Sequence, residues 1–111
     1  MIDGKVILAP TQDSSATSTA FDVDKCSRVV WIAPDSGETL TDDDAFELRR
    51  VVDTGPVRSV KLYDSDGNAI LLGANQPQFE IMIRGTYLVQ KILATTESVG
   101  VYQTYGAEDG L

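Results

Sequence analysis

The sequence predicts an all-β protein: a single-domain antiparallel β-sandwich, jelly-roll-like, of about eight short strands. Three observations carry this. Apolar residues recur at a period of two or in short β-branched runs, not at helical spacing. Turn signals rich in Pro, Gly, Asp and Ser interrupt these runs at intervals of roughly 8–12 residues. The chain has 111 residues, enough for one hydrophobic core and one domain.

The elements follow in order. Lys5 to Ala9 is a first strand, closed by Pro10. Residues 11–19 are small and polar with little to bury, so residues 1–19 read as an N-terminal strand and extended arm, and residues 20–111 as the sandwich domain. Ala20 to Val23 and Ser27 to Ala33 are strands, the second ended by Pro34-Asp35-Ser36-Gly37. Leu40 to Val52 fits either a helix capped by Thr41 and Asp44 or a strand, and the turn residues Asp53-Thr54-Gly55-Pro56 that follow favour a strand. Val57 to Tyr63, Ala69 to Leu72, Gln78 to Ile83, Tyr87 to Ala94 and Val99 to Tyr105 complete the set. In the Gln78 to Ile83 strand, Phe79, Ile81 and Ile83 share one face, and Arg84-Gly85 forms a tight corner after it.

The stretch YDSDGNAI, Tyr63 to Ile70, places Asp64, Asp66 and Asn68 at alternate positions, as a calcium loop would. Ala69 stands where the EF-hand glycine belongs and Asn75 where the bidentate glutamate belongs, so the stretch reads as a hairpin. Asp66-Gly67 suits a two-residue turn with positive φ at both central positions. No metal or other cofactor is expected.

Composition excludes several chemistries. With no histidine, Ser-His-Asp and Cys-His catalysis and histidine-ligated zinc are ruled out. Cys26 is the one cysteine, so no internal disulfide forms, and the thiol reads as buried and inert. Neither common phosphate loop is present. Asp42-Asp43-Asp44 reads as a solvated turn or helix start rather than a pair of glycosidase carboxylates. No apolar run approaches the ~20 residues of a membrane span, and the start has no signal-like core. The net charge of -8 argues against nucleic acid as a partner. The acids are uneven: residues 1–44 hold nine against three bases, whereas residues 45–94 hold five against six. Trp31, Tyr87, Tyr102 and Tyr105 are candidates for a sugar-binding face, although Trp31, set between Val30 and Ile32, reads more readily as core.

Three segments, FELRRVVDTGPVRSVKLYDSDGNAILL, FEIMIRGTYLVQK and SVGVYQTYGA, together resemble a class of small bacteriophage virion proteins. The shared pattern is a strand, an acidic Asp-Gly hairpin, a strand closing at the Gly85-Thr86-Tyr87 corner and a Val-rich last strand. Arg84 and Leu88 stand where that class usually has Pro and Arg. The resemblance implies a head decoration, or cement, protein: made in the host cytoplasm, placed on the exterior of the head, trimeric, and bound to the major capsid protein and to copies of itself. Subunit interfaces are anchored by buried aromatic and arginine side chains, which points to Phe46, Arg49, Arg50, Arg84 and Tyr105. Val6, Ile7 and Leu8 of the arm are further candidates, because a terminal segment is ordered only when something ties it down. A carbohydrate- or receptor-binding module of a tail fibre or baseplate, and a head-to-tail connector, are the alternatives.

Overall fold

Along a strand successive side chains point to opposite faces, so a row of alternate apolar residues becomes one wall of a core. Val30 and Ile32 point inward in this way, as do Val101 opposite Ile32, Val99 two residues before Val101, and Phe46 and Leu48 from the other sheet. The computed structural model describes residues 5–24, 27–35 and 37–105. Among the described residues there are nine strands and no helix: β1 (Lys5–Thr11), β2 (Phe21–Val23), β3 (Arg28–Pro34), β4 (Ala45–Thr54), β5 (Val57–Lys61), β6 (Leu71–Gly73), β7 (Gln78–Ile81), β8 (Gly85–Lys91) and β9 (Val99–Tyr105).

The strands form two antiparallel sheets, ordered β1-β9-β3-β7 and β2-β8-β4-β5, with β6 pairing β4 beside β5. The pairing is nested: β1 with β9, β2 with β8, β3 with β7, β4 with β5 and β6. A ribbon folded back on itself and rolled into two layers gives this order, which is the jelly roll. Valines 30, 89, 99 and 101, with Phe46, Leu48 and Leu72, are fully enclosed between the layers. Each such side chain contributes about 1.5–3 kcal/mol through burial.

Of the segment 40–52, residues 45–52 are strand and residues 40–44 a turn leading into it. Asp44 Oδ2 accepts a hydrogen bond from the Thr41 amide at 2.7 Å, and the Asp44 amide donates to the Thr41 carbonyl at 3.1 Å. Only half of a helix capping box is present, because the Asp44 amide meets the Thr41 carbonyl and not its hydroxyl; the pair closes a turn and the chain enters β4. Residues 12–19, expected as an extended arm, are irregular with a turn at Ser14-Ser15, where Ser15 has φ 68°, and they lie on the domain. The amides of Ser15 and Ser18 donate to the carbonyls of Lys91 and Val89 at 2.7 and 2.8 Å, and the Lys91 amide donates to the Ala16 carbonyl. The segment thereby continues the edge of the second sheet into β2, while β1 joins the first sheet.

The YDSDGNAI stretch is a hairpin with a different turn from the one expected. Tyr63 pairs with Ala69, and the Gly67 amide donates to the Asp64 carbonyl at 3.0 Å. Among the described residues Gly67 has positive φ, 84°, and Asp66 does not, so the loop has three residues and only its last position needs glycine. Asp64 Oδ1 accepts from the amides of Asp66 and Asn68 at 2.9 and 3.0 Å. The carboxylate organises its own turn.

Candidate functional site

β4 runs the length of the sandwich, and its two ends differ in chemistry. Before Ala45 it is preceded by Asp42, Asp43 and Asp44, and the loops that meet it there carry Asp35, Glu38 and Glu97. This is the acidic end. At the other end β4 continues four residues past Arg50, the last that pairs with β8, and returns as β5. Arg50, Arg58 and Arg84 lie there.

The arginine end is open. A groove of about 380 Å³ runs between the layers, walled by Leu48, Leu62, Ile70, Phe79 and Tyr87. Its rim leaves Met82 75% exposed, Ile83 69% and Tyr63 59%. Val52 and Val60 are exposed on the overhanging β4–β5 hairpin, with Val60 directly opposite Arg50. Apolar side chains concentrated this way mark an interaction surface rather than scattered exposure. Arg50 forms the border: its guanidinium lies 5.8 Å from the Tyr87 ring centroid and donates to the Arg84 carbonyl at 2.9 Å. A Cβ at Gly85 would meet that guanidinium at 3.0 Å, so the corner glycine makes room for it. Tyr87 donates its hydroxyl to the Ile83 carbonyl at 2.7 Å and holds the 82–84 turn open.

At the acidic end it is the ionisable groups that are closed in, beneath loops that carry a surface groove of their own. Lys91 is inaccessible to solvent, Asp44 is 3% exposed and Glu97 7%. Lys91 faces inward in phase with Tyr87 and Val89, with Nζ 5.5 Å from the Phe46 ring centroid. Its ammonium donates to the Thr11 carbonyl at 2.9 Å and to Thr95 Oγ1 at 2.6 Å. Glu97 accepts from Thr41 Oγ1 and Thr96 Oγ1, both at 3.0 Å. Burial pulls the Lys91 amine below the usual lysine range and pushes the Asp44 carboxyl above the usual aspartate range. Burial works to raise Glu97 as well, but hydrogen bonds from Thr96, its own amide and Thr41 hold it below the usual glutamate range.

The expected interface residues separate on this frame. Phe46 is fully enclosed and Ile7 is part of the core, so neither reaches a neighbour. Leu8 packs partly against the core and Val6 is 51% exposed on the outer face. Arg49 is committed within the subunit: it pairs with Glu47, and its Nε and Nη2 donate to Ser59 Oγ and the Ser59 carbonyl at 2.8 and 2.9 Å. Arg50 and the exposed Arg84 border the open end. The side chain of Tyr105, like Cys26, lies outside the described residues.

Trp31 is not core. Period-two alternation puts it on the outer face of its sheet, half-buried, opposite Tyr102 in register. The two rings stack at 5.7 Å between centroids and 19° between planes. Tyr87 is buried and leaves the sugar-face group. Ile83 is also displaced, since β7 ends at Ile81 and the expected third member of its inward face turns outward. Asp44 departs from the solvated triplet, whereas Asp42 and Asp43 remain exposed. Sequence reasoning missed the Lys91 cluster, although Lys91 stands in phase with the apolar positions of its strand. Comparison with known proteins finds no matching family model, no similar curated protein and no similar solved structure.

Proposed function

We propose that the protein is a non-enzymatic adhesion module that decorates and stabilises the exterior of a bacteriophage head, trimeric and bound to the major capsid protein. The observation that carries this is the open end, where an apolar groove and the exposed Met82, Ile83 and Tyr63 are bordered by Arg50 and Arg84. An apolar centre with aromatic and arginine anchors is the composition of a subunit contact. The acidic end, directed away from that contact, suits a surface facing solvent and not packaged DNA. Jelly rolls occur among capsid and lectin domains, and the fold alone does not choose between them. The resemblance to small virion proteins favours the capsid.

Removal of the protein from the particle tests the proposal. Heads that assemble, join tails and then rupture at lower temperature than complete particles support it. Failure to form a head, or complete heads that do not join tails, replaces it with the connector reading.

The Trp31–Tyr102 pair favours a second reading, a carbohydrate- or receptor-binding module, because stacked aromatic rings on an outer sheet face offer apolar surface to a sugar. A glycan array gives signal lost on Trp31→Ala under this reading and no signal under the first.

A further inference from the structure

We propose that the closed end forms an intramolecular amide bond between Lys91 Nζ and the side-chain carboxyl of Asp44, with Glu97 carrying the proton. The proposal stands on the placement of three side chains and is independent of what the open end binds.

Lys91 lies directly across from Phe46, and Asp44 precedes Phe46 by two residues, so the amine and the carboxyl come from diagonal cross-strand neighbours on one inward face. Such neighbours are about 7–8 Å apart, which a four-methylene amine and a short carboxyl span together. The Ile92 amide donates to the Ala45 carbonyl at 3.0 Å, which carries the strand pairing to the residue beside Asp44. Glu97 comes from the β8–β9 loop and meets Asp44 through Thr41, which donates its hydroxyl to one and its amide to the other. Among the described residues Lys91 makes no direct ion pair with either carboxylate, so the reacting groups are gathered but not locked in a salt bridge.

One atom distinguishes Asp44 from Glu97 as the acceptor of the amine. Both Glu97 oxygens are bonded, whereas Asp44 Oδ1 is buried without a hydrogen-bond partner. An ionised carboxylate has no donor to offer its neighbour, but a protonated Asp44 can donate to Glu97. The environment supports the same assignment, raising Asp44 toward the neutral acid, lowering Lys91 toward the free amine and keeping Glu97 as the base. Asp13 also acts on Lys91 and favours its charged form.

The step balances without a co-reactant. Lys91 Nζ, as the free amine, adds to Asp44 Cγ and an N–C bond forms. Glu97 takes a proton from the nitrogen and delivers it to the departing hydroxyl, which leaves as water and breaks the C–O bond. The product is a secondary amide, and Glu97 returns to its starting state. Alignment in a closed site replaces an intermolecular encounter, an advantage that reaches an effective molarity of about 10⁵–10⁸ M in well-oriented systems. A groove of about 400 Å³ between residues 41–43 and 94–97 gives the water an exit.

The intact mass of the purified full-length chain tests this. The expected mass is one water below the sequence mass, with fragments joining residue 44 to residue 91. Asp44→Asn gives the same product and a chain one ammonia below its own sequence mass. Lys91→Arg and Glu97→Gln give full mass with unchanged far-ultraviolet circular dichroism. A folded wild-type chain that keeps its full mass on prolonged incubation overturns the proposal, and so does a lost water mapped to any other pair. The wild-type mass decides alone where a variant fails to fold.

Discussion

The two ends of the sandwich are built from the same strands and treat polar groups in opposite ways. At the acidic end the ionisable groups Lys91, Asp44 and Glu97 are drawn inside, while Ile92 and Leu93 beside them are 37% and 46% exposed. At the arginine end the ionisable groups stay at the border and the apolar groups Met82, Ile83 and Tyr63 are left in water. Loops explain the difference. The 40–44 and 94–98 loops fold over the acidic end through Thr41, Thr95 and Thr96, whose hydroxyls satisfy the buried charges. Across the other end β7 stops at Ile81 and β4 overhangs β8, so the layers do not meet there. Under the proposed function one end serves stability and the other association, and substitutions separate the two roles.

The largest effect is expected from Lys91→Ala. It leaves the Thr11 carbonyl and the Thr95 hydroxyl without their buried donor and removes the one cation near Asp44 and Glu97 among the described residues, a loss of about 3–5 kcal/mol of the kind seen when one partner leaves a buried charged network. The denaturant midpoint falls accordingly, while any association that survives still depends on the open end. Next is the paired substitution Met82→Asp and Ile83→Asp. Both side chains are exposed, so the midpoint moves by no more than about 0.5 kcal/mol, while subunit association is lost.

The pH dependence of joining at the closed end sharpens the comparison further. As pH falls, Lys91 and then Glu97 take up protons, and the nucleophile and the base are lost. As pH rises through the elevated pKa of Asp44, the acid ionises and ceases to accept the amine. The rate in freshly refolded protein is therefore expected to pass through a maximum, measured as mass loss against time, whereas a monotonic profile contradicts the assignment of roles. The smallest effect concerns the hairpin. Asp64→Ala removes the acceptor for two turn amides and costs about 1 kcal/mol, and millimolar calcium leaves the melting temperature of the wild type unchanged.

The layers were legible in the sequence because alternation at period two is a local property. Strands around Val30, Leu48, Val89 and Val101 follow from it directly. Trp31 was misplaced because its apolar neighbours outweighed its phase, although Val29, Trp31 and Ala33 fall on the face opposite Val30 and Ile32. Ile83 was misplaced for the converse reason: the alternation continues past Ile81, but the chain leaves the sheet and turns toward Gly85. The inward phase of Lys91 was readable, but its partners were not. Asp44 and Glu97 come from loops 47 and 6 residues away in the sequence and meet only through the packing of the two sheets. Nor did the charge count per segment reveal that acids and arginines collect at opposite ends, since that depends on the direction in which each strand runs.

Light scattering coupled to size-exclusion chromatography, on the wild type and on the Met82→Asp, Ile83→Asp variant, tests the central claim most directly. The account predicts a wild type at three times the 12.0 kDa chain mass and a variant at the single-chain mass, with superimposable circular dichroism. A wild type at the single-chain mass, or a variant that keeps the trimer mass, contradicts it.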